Sequence, residues 1–300
     1  MIKYKTTVGS VVFDILNYTW FIAFTLVCVF PFYYIFINTI SSNDLASKGM
    51  ILFFPKGIHF TNYIKILSMR ELPMAVLVTL GRTVIGTVLA TLCTAFVAFA
   101  LSRNELWLRV FWYRFFIITM YFNAGLIPWY ITMKMLRLTN NFAAYIIGVI
   151  GVFNLILIKT YIESLPLSLQ ESAEIDGAGY LTVFFRILFP LCAPILATVA
   201  VFTSVGHWNS FMDTLFLMTD SKLYTLQFLL WRYLNEANAL ATAMRTAQAQ
   251  GQQITQPMYE LTTTSVKMTI SMVVVLPILF VYPFFQRYFV KGIMIGAIKG

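Results

Sequence analysis

The chain has 300 residues, of which 59% are hydrophobic and 11% charged, with 17% aromatic and a net charge of +9. A soluble globular domain carries about a quarter charged residues, so this composition excludes that class. The basic excess is spread over the ends of apolar runs rather than gathered in a stripe, which excludes a nucleic-acid surface and suits side chains that snorkel toward lipid headgroups.

In chain order, the first uncharged run is Ile15–Asn43, 29 residues long. It follows Lys3 and Lys5, exceeds the roughly 7–15-residue apolar core of a signal peptide and lacks a small-residue cleavage site. A retained helix is expected there. Residues 44–71 form a mixed loop with a turn at Phe54-Pro55-Lys56-Gly57 and a short helix near Asn62–Leu67. Five more uncharged runs follow: Thr83–Ser102 (20 residues), Phe115–Met133 (19), Leu138–Ile158 (21), Ile187–Met212 (26) and Met268–Gln286 (19). A bilayer core needs about 20 helical residues. The expected fold is therefore an all-α membrane protein with six transmembrane helices, at about 15–40, 73–101, 112–133, 139–160, 187–210 and 266–286. Between the last two lies a lobe at about 213–264, with helical spacing over Leu223–Leu240 and a polar, charge-free tip at Thr246–Tyr259.

Six spans place both termini on one side, but charge does not say which. The segments on either side carry ten Lys and Arg each, with Arg82 left inside the second span, so the positive-inside rule gives a tie. Arg82 lies near one end of its span and is expected to snorkel. Cys28, Cys93 and Cys192 each sit alone in an apolar run. With no C-x-x-C pair they read as small hydrophobes, and no metal or redox centre is expected.

One segment breaks the apolar pattern. ESAEIDGAGYLTVFFRILFP, Glu171–Pro190, places Glu171, Glu174 and Asp176 within six residues. Ser168 and Glu171 have the spacing of a capping box. Gly177 and Gly179 can take the left-handed conformation that ends a helix. Glu171, Ile175 and Ala178 fall on one helical face. Local chemistry leaves two readings open: acids that cap and solvate a loop helix, or a handle for a partner.

The segment resembles the EAA signature of permease subunits of bacterial ABC importers. The matching residues are Glu171, Ser172, Ala173, Gly177, Ile187, Phe189 and Pro190, with Ser172 and Phe189 as mild departures. Asp176, Gly177 and Ala178 complete the longer form found in carbohydrate permeases of the maltose-permease type. Gly206–Asp220 with the following LYTLQ, and the ending Gln286–Gly300, are similar to the same family. The resemblance implies the type I importer transmembrane fold, with both termini and a coupling helix at about 167–180 in the cytoplasm and the lobe outside. It implies that Glu171, Ala173, Asp176, Gly177 and Ala178 serve the coupling to an ATPase. The implied partners are a second permease, a dimer of ATP-binding subunits, an extracellular solute-binding protein and an oligosaccharide, in a bacterial cell membrane.

The chain has no G-x-x-x-x-G-K-[ST] phosphate loop. It is thus expected to be no enzyme and to hold no cofactor, with ATP and Mg bound by separate ATPase subunits. Asn123, Asn154, Trp208, Asn209 and Asp213 are candidates for the substrate path, because amide, carboxylate and aromatic groups suit sugars. Trp also populates interfacial belts, and His207 beside the Trp-Asn pair is expected to be structural. A lipid-modifying enzyme would need clustered acid–base groups, and only His59 and His207 are present. A secondary carrier would want ionisable groups deep in its spans or inverted repeats. An ABC importer for a non-sugar solute is the remaining alternative.

Overall fold

A computed structural model describes residues 8–122, 124–148, 150–249, 262, 264–277 and 279. The regular structure among them is entirely helical, as a bilayer requires of segments that must satisfy their own backbone hydrogen bonds. The chain divides into two compact units. One comprises Met1–Ser68 with Tyr233–Val275, the other Met69–Arg232 with Leu276–Gly300.

The first unit begins with α1 (Val8–Thr39), which is exposed along most of its length and buried at Ile37, Asn38 and Thr39. Two short helices follow, α2 (Asn43–Ser47) and α3 (Thr61–Leu67). The latter is the short helix expected near Asn62, and the turn before it has Gly57 at φ +65°. Asn62 is fully buried and holds this region together. Its amide donates to the Thr39 carbonyl (2.8 Å) and exchanges two hydrogen bonds with Asn43 (2.9 and 3.0 Å). Ser265, on the apolar helix Thr264–Pro277, donates to Asn43 at 2.7 Å.

The second unit is built around α4 (Leu72–Ser102), packed against α7 (Val152–Ser164) and α10 (Ala193–Asn209). Gly86, Ala90, Thr94, Ala95 and Ala98 recur at helical spacing on its buried side. Small residues let backbones approach closely in helix pairs of this kind. At Gly86 the approach is closest: an added Cβ would lie 2.6 Å from Nε2 of His207 on α10.

The helices differ from the expected spans wherever the backbone breaks. The third expected span divides into α5 (Arg109–Tyr121) and α6 (Leu126–Met135), with Gly125 at φ +86° before the restart. The fourth begins as a single 3₁₀ turn, Phe142–Tyr145, capped by Asn141, and becomes α-helical only at Val152 after Gly148 at φ +97°. The fifth starts earlier than expected, at α9 (Tyr180–Leu191), and bends by 80° into α10. A π turn, Val183–Leu188, lies inside α9. Beyond α10 come α11 (Met212–Leu217) and α12 (Leu226–Ala249), the latter matching the helical spacing read over Leu223–Leu240. Among the described residues two helices, α1 and α4, are each long and apolar enough to cross a bilayer, and the number rises to as many as five if each bent pair is one span. The sixth expected span is described only as Thr264–Pro277. Residues 250–261, which include most of the polar tip, and the tail 280–300 lie outside the described residues.

Candidate functional site

The acidic segment folds as α8 (Ser168–Ile175), a helix of two turns. The expected capping box does not form. Leu167 is already helical, and no side chain caps the helix start. The turn begins instead at Pro166, whose carbonyl accepts from Leu169 N–H while Leu167 accepts from Gln170 and Glu171. Ser168 therefore sits inside the first turn, where a cap cannot act.

The end of α8 is a complete Schellman motif. Ala178 N–H donates to Ala173 O at 2.9 Å and Gly177 N–H to Glu174 O at 3.0 Å, with Gly177 at φ +81°. These are the two bonds that satisfy the orphan carbonyls of a helix stopped by a left-handed glycine. Gly179, by contrast, is extended at φ −72°. Gly177→Ala is expected to destabilise the turn by about 1–2 kcal/mol, whereas Gly179→Ala should be neutral. Melting temperatures of the two variants, measured side by side, check this. Equal shifts would contradict the assignment.

One face of α8 belongs to the protein's interior. Ala173 joins a core of Ala98, Phe99, Leu101, Leu155, Ile158 and Phe184, and Ala178 packs against it. The other face is open, with Ile175 85% exposed beside Glu171 and Asp176, both exposed. The face expected from Glu171, Ile175 and Ala178 is thus divided, since Ala178 turns inward. Glu174, the one acid of the cluster that the resemblance does not assign to coupling, is engaged within the chain. It pairs with Arg103 at the end of α4, and Gln170 accepts from the same guanidinium at 2.6 Å.

Further along α4 a polar cavity of about 380 Å³ opens among Arg82, Trp129, Tyr145, Asn154, His207 and Asp213. Arg82 does not snorkel. It lies ten residues into α4, about 15 Å from its start, with its side chain only 2% exposed. Its Nη2 donates to Asp213 Oδ2 at 2.5 Å and Nη1 to Oδ1 at 3.2 Å, while the guanidinium stacks over the Tyr145 ring at 4.4 Å. Asp213 also accepts from Ser210 Oγ and Thr214 N–H, both at 3.0 Å. Tyr145 in turn hydrogen-bonds Thr214 (2.9 Å) and the Leu223 carbonyl (2.7 Å). A lone arginine inside an apolar helix demands a partner, so the signal was in the sequence, but the partner lay 131 residues away.

Of the substrate-path candidates, Asn154 and Asp213 line this cavity. Trp208 is buried and Asn209 exposed, and neither forms part of its wall. Asn123 lies outside the described residues. His207 lines the cavity and packs flat over Gly86. Among the described residues no cluster of His, Cys, Asp or Glu could hold a metal ion.

No protein-family model matches the chain. It is 33% identical over 290 residues to the polygalacturonan/rhamnogalacturonan transport system permease protein YtcP of Bacillus subtilis (strain 168), covering 96% of this chain and 98% of that protein. It is 32% identical to the protein LplC of the same organism, over 99% of this chain and 98% of that one. Among solved structures, a chain from the crystal structure of a bacterial ABC transporter involved in the import of the acidic polysaccharide alginate is similar with a TM-score of 0.82. Its sequence identity is 28%, over 96% of this chain and 100% of the other. Likeness at this level runs through nearly the full length of each protein, in sequence and in fold, and so the chain belongs to the permease subunits of bacterial carbohydrate ABC importers.

Proposed function

We propose that the chain is one permease subunit of an ATP-driven, binding-protein-dependent oligosaccharide importer, and that α8 is its coupling helix. The observation that carries this reading is the divided surface of α8. One side is locked into the core through Ala173, while Ile175, Glu171 and Asp176 stand open to solvent next to a rigid turn. An exposed apolar side chain flanked by carboxylates suits a cleft with basic walls, and the charges set orientation more than affinity. The occupant is an ATP-hydrolysing subunit, which supplies ATP and Mg binding in a separate chain. In the full assembly six spans cross the cell membrane, with both termini and α8 cytoplasmic and the lobe at about 213–264 outside. A second permease, two ATP-binding subunits and an extracellular solute-binding protein complete it.

The cavity at Asn154, Tyr145, Trp129 and Asp213 is this chain's contribution to the sugar path. Its amide, hydroxyl and aromatic groups are of the kinds that orient a saccharide in a pocket. Asn123, Trp208 and Asn209 remain candidates for other parts of the path. For the cargo, polygalacturonan and alginate are both chains of uronic acids, which puts an acidic oligosaccharide first. The test is ATP hydrolysis by the reconstituted transporter with its binding protein, comparing an oligogalacturonide with a neutral maltodextrin. Stimulation by the first is the expected result. If neither saccharide stimulates hydrolysis or enters the vesicles, the oligosaccharide assignment is wrong.

A further inference from the structure

The chain bends at both ends of α8. Before it the chain passes through the break at Leu165–Leu167, where α7 and α8 meet at 75°. After it comes the glycine turn at Gly177. With a bend at each end, α8 follows the spans through its side-chain contacts, of which Ala173 in the core is the apolar one.

Arg103 supplies a polar one. It follows the last residue of α4, and its side chain is 11% exposed. The guanidinium pairs with Glu174, donates to Gln170 at 2.6 Å and lies 3.6 Å from a Glu105 oxygen. It also lies 5.2 Å from the ring centre of Tyr180 and 5.6 Å from that of Phe99. Glu174 and Gln170 precede the Gly177 turn and Tyr180 follows it, so one cation grips both flanks of the turn. The loop that carries Arg103 is itself fixed by Arg109, whose Nε donates to the Leu101 carbonyl at 2.8 Å and whose Nη2 meets Glu163 of α7 at 2.5 Å. From Arg103, α4 runs without a break to Arg82 in the cavity wall, a helical distance of about 31 Å. Coupling between distant sites needs a chain of packed elements of this kind.

We propose that Arg103 is a positioning residue for transport: its clasp on Glu174 and Gln170 makes α8 and α4 move as one piece, so that displacement of α8 reaches the cavity. The inference rests on the reading of α8 as the docking helix. Glu174 is partly exposed, so the pair adds little to stability; its contribution is geometric. The complete transporter, in proteoliposomes with its binding protein, tests it. Arg103→Glu and Glu174→Arg are each expected to lower uptake and cargo-stimulated ATP hydrolysis about tenfold, within the usual range of coupling energies. Cargo-free hydrolysis and assembly, followed by size-exclusion chromatography, should stay at parental levels. The charge-exchanged double variant should recover most of the loss. Should either reversal fail to assemble, Glu174→Gln removes the charge with little change of shape and should show the same uncoupling. Uptake at the parental level in Glu174→Gln, or no recovery in an assembled double variant, would overturn the proposal. A photo-reactive phenylalanine analogue at position 175 separates docking from coupling. Cross-linking to an ATP-binding subunit in both parent and Glu174→Gln leaves the docking reading standing whatever the coupling result, and its absence in the parent removes that reading.

Discussion

Arg82→Ala is expected to destabilise the folded protein by about 3–5 kcal/mol, the usual result of removing one partner from a buried ion pair. Asp213 would keep Ser210 Oγ and Thr214 N–H but lose both guanidinium donors. Its carboxylate, only 16% exposed, would stay in the cavity wall with no counter-charge. The loss would spread, because the Tyr145 ring that packs on the guanidinium also anchors Thr214 and Leu223. The control is the double variant Arg82→Met with Asp213→Leu. Replacing a whole buried pair by apolar side chains is often neutral or stabilising, so the double variant should melt close to the parent. Thermal loss of the monodisperse species in detergent measures both. If Arg82→Ala melts with the parent, the pair does not hold these elements together.

The second large effect is expected at Gly86. A methyl group there would meet three ring atoms of His207, at 2.6, 2.7 and 3.0 Å. Either α4 and α10 separate or the imidazole swings into the cavity beside it. Overpacking of this kind costs about 1–3 kcal/mol, and Gly86→Val should cost more than Gly86→Ala. Adding His207→Ala to Gly86→Ala removes the obstruction and should restore most of the lost stability. Equal melting of the single and double variants would show that the obstruction is not His207.

Hydropathy made α1 and α4 legible because each is a single apolar helix longer than a bilayer is thick. It failed at α5–α6, at Phe142–Tyr145 and at the 80° bend into α10. Hydropathy records what a segment contacts, and a chain can turn at Gly125 or Gly148 without changing that. At α8 the glycine rule narrowed the Schellman turn to Gly177 or Gly179, because that conformation is local, and the fold puts it on Gly177. The capping box was misread for a complementary reason: Pro166 had already begun the turn upstream. The roles of the acids needed the tertiary structure. Nothing in the order of residues says that Arg103 reaches Glu174, 71 positions away, rather than Glu171. The same holds for Arg82, whose depth was visible but whose partner was not.

The π turn at Val183–Leu188 has a consequence for how α8 is aimed. A π turn is an α-helix with one surplus residue accommodated in a single widened turn. It brings Val183, Phe184 and Leu188 together on the buried side, with Phe184 meeting the rings of Phe96 and Phe99. Rewinding the same six residues as ordinary α-helix, with none removed, would rotate everything upstream by about 100°, one residue's worth of helical turn. The glycine turn and α8 would swing with it, carrying Glu174 out of Arg103's reach. The azimuth of the docking face therefore depends on the surplus residue being taken up in the widened turn, which keeps α8 facing Arg103.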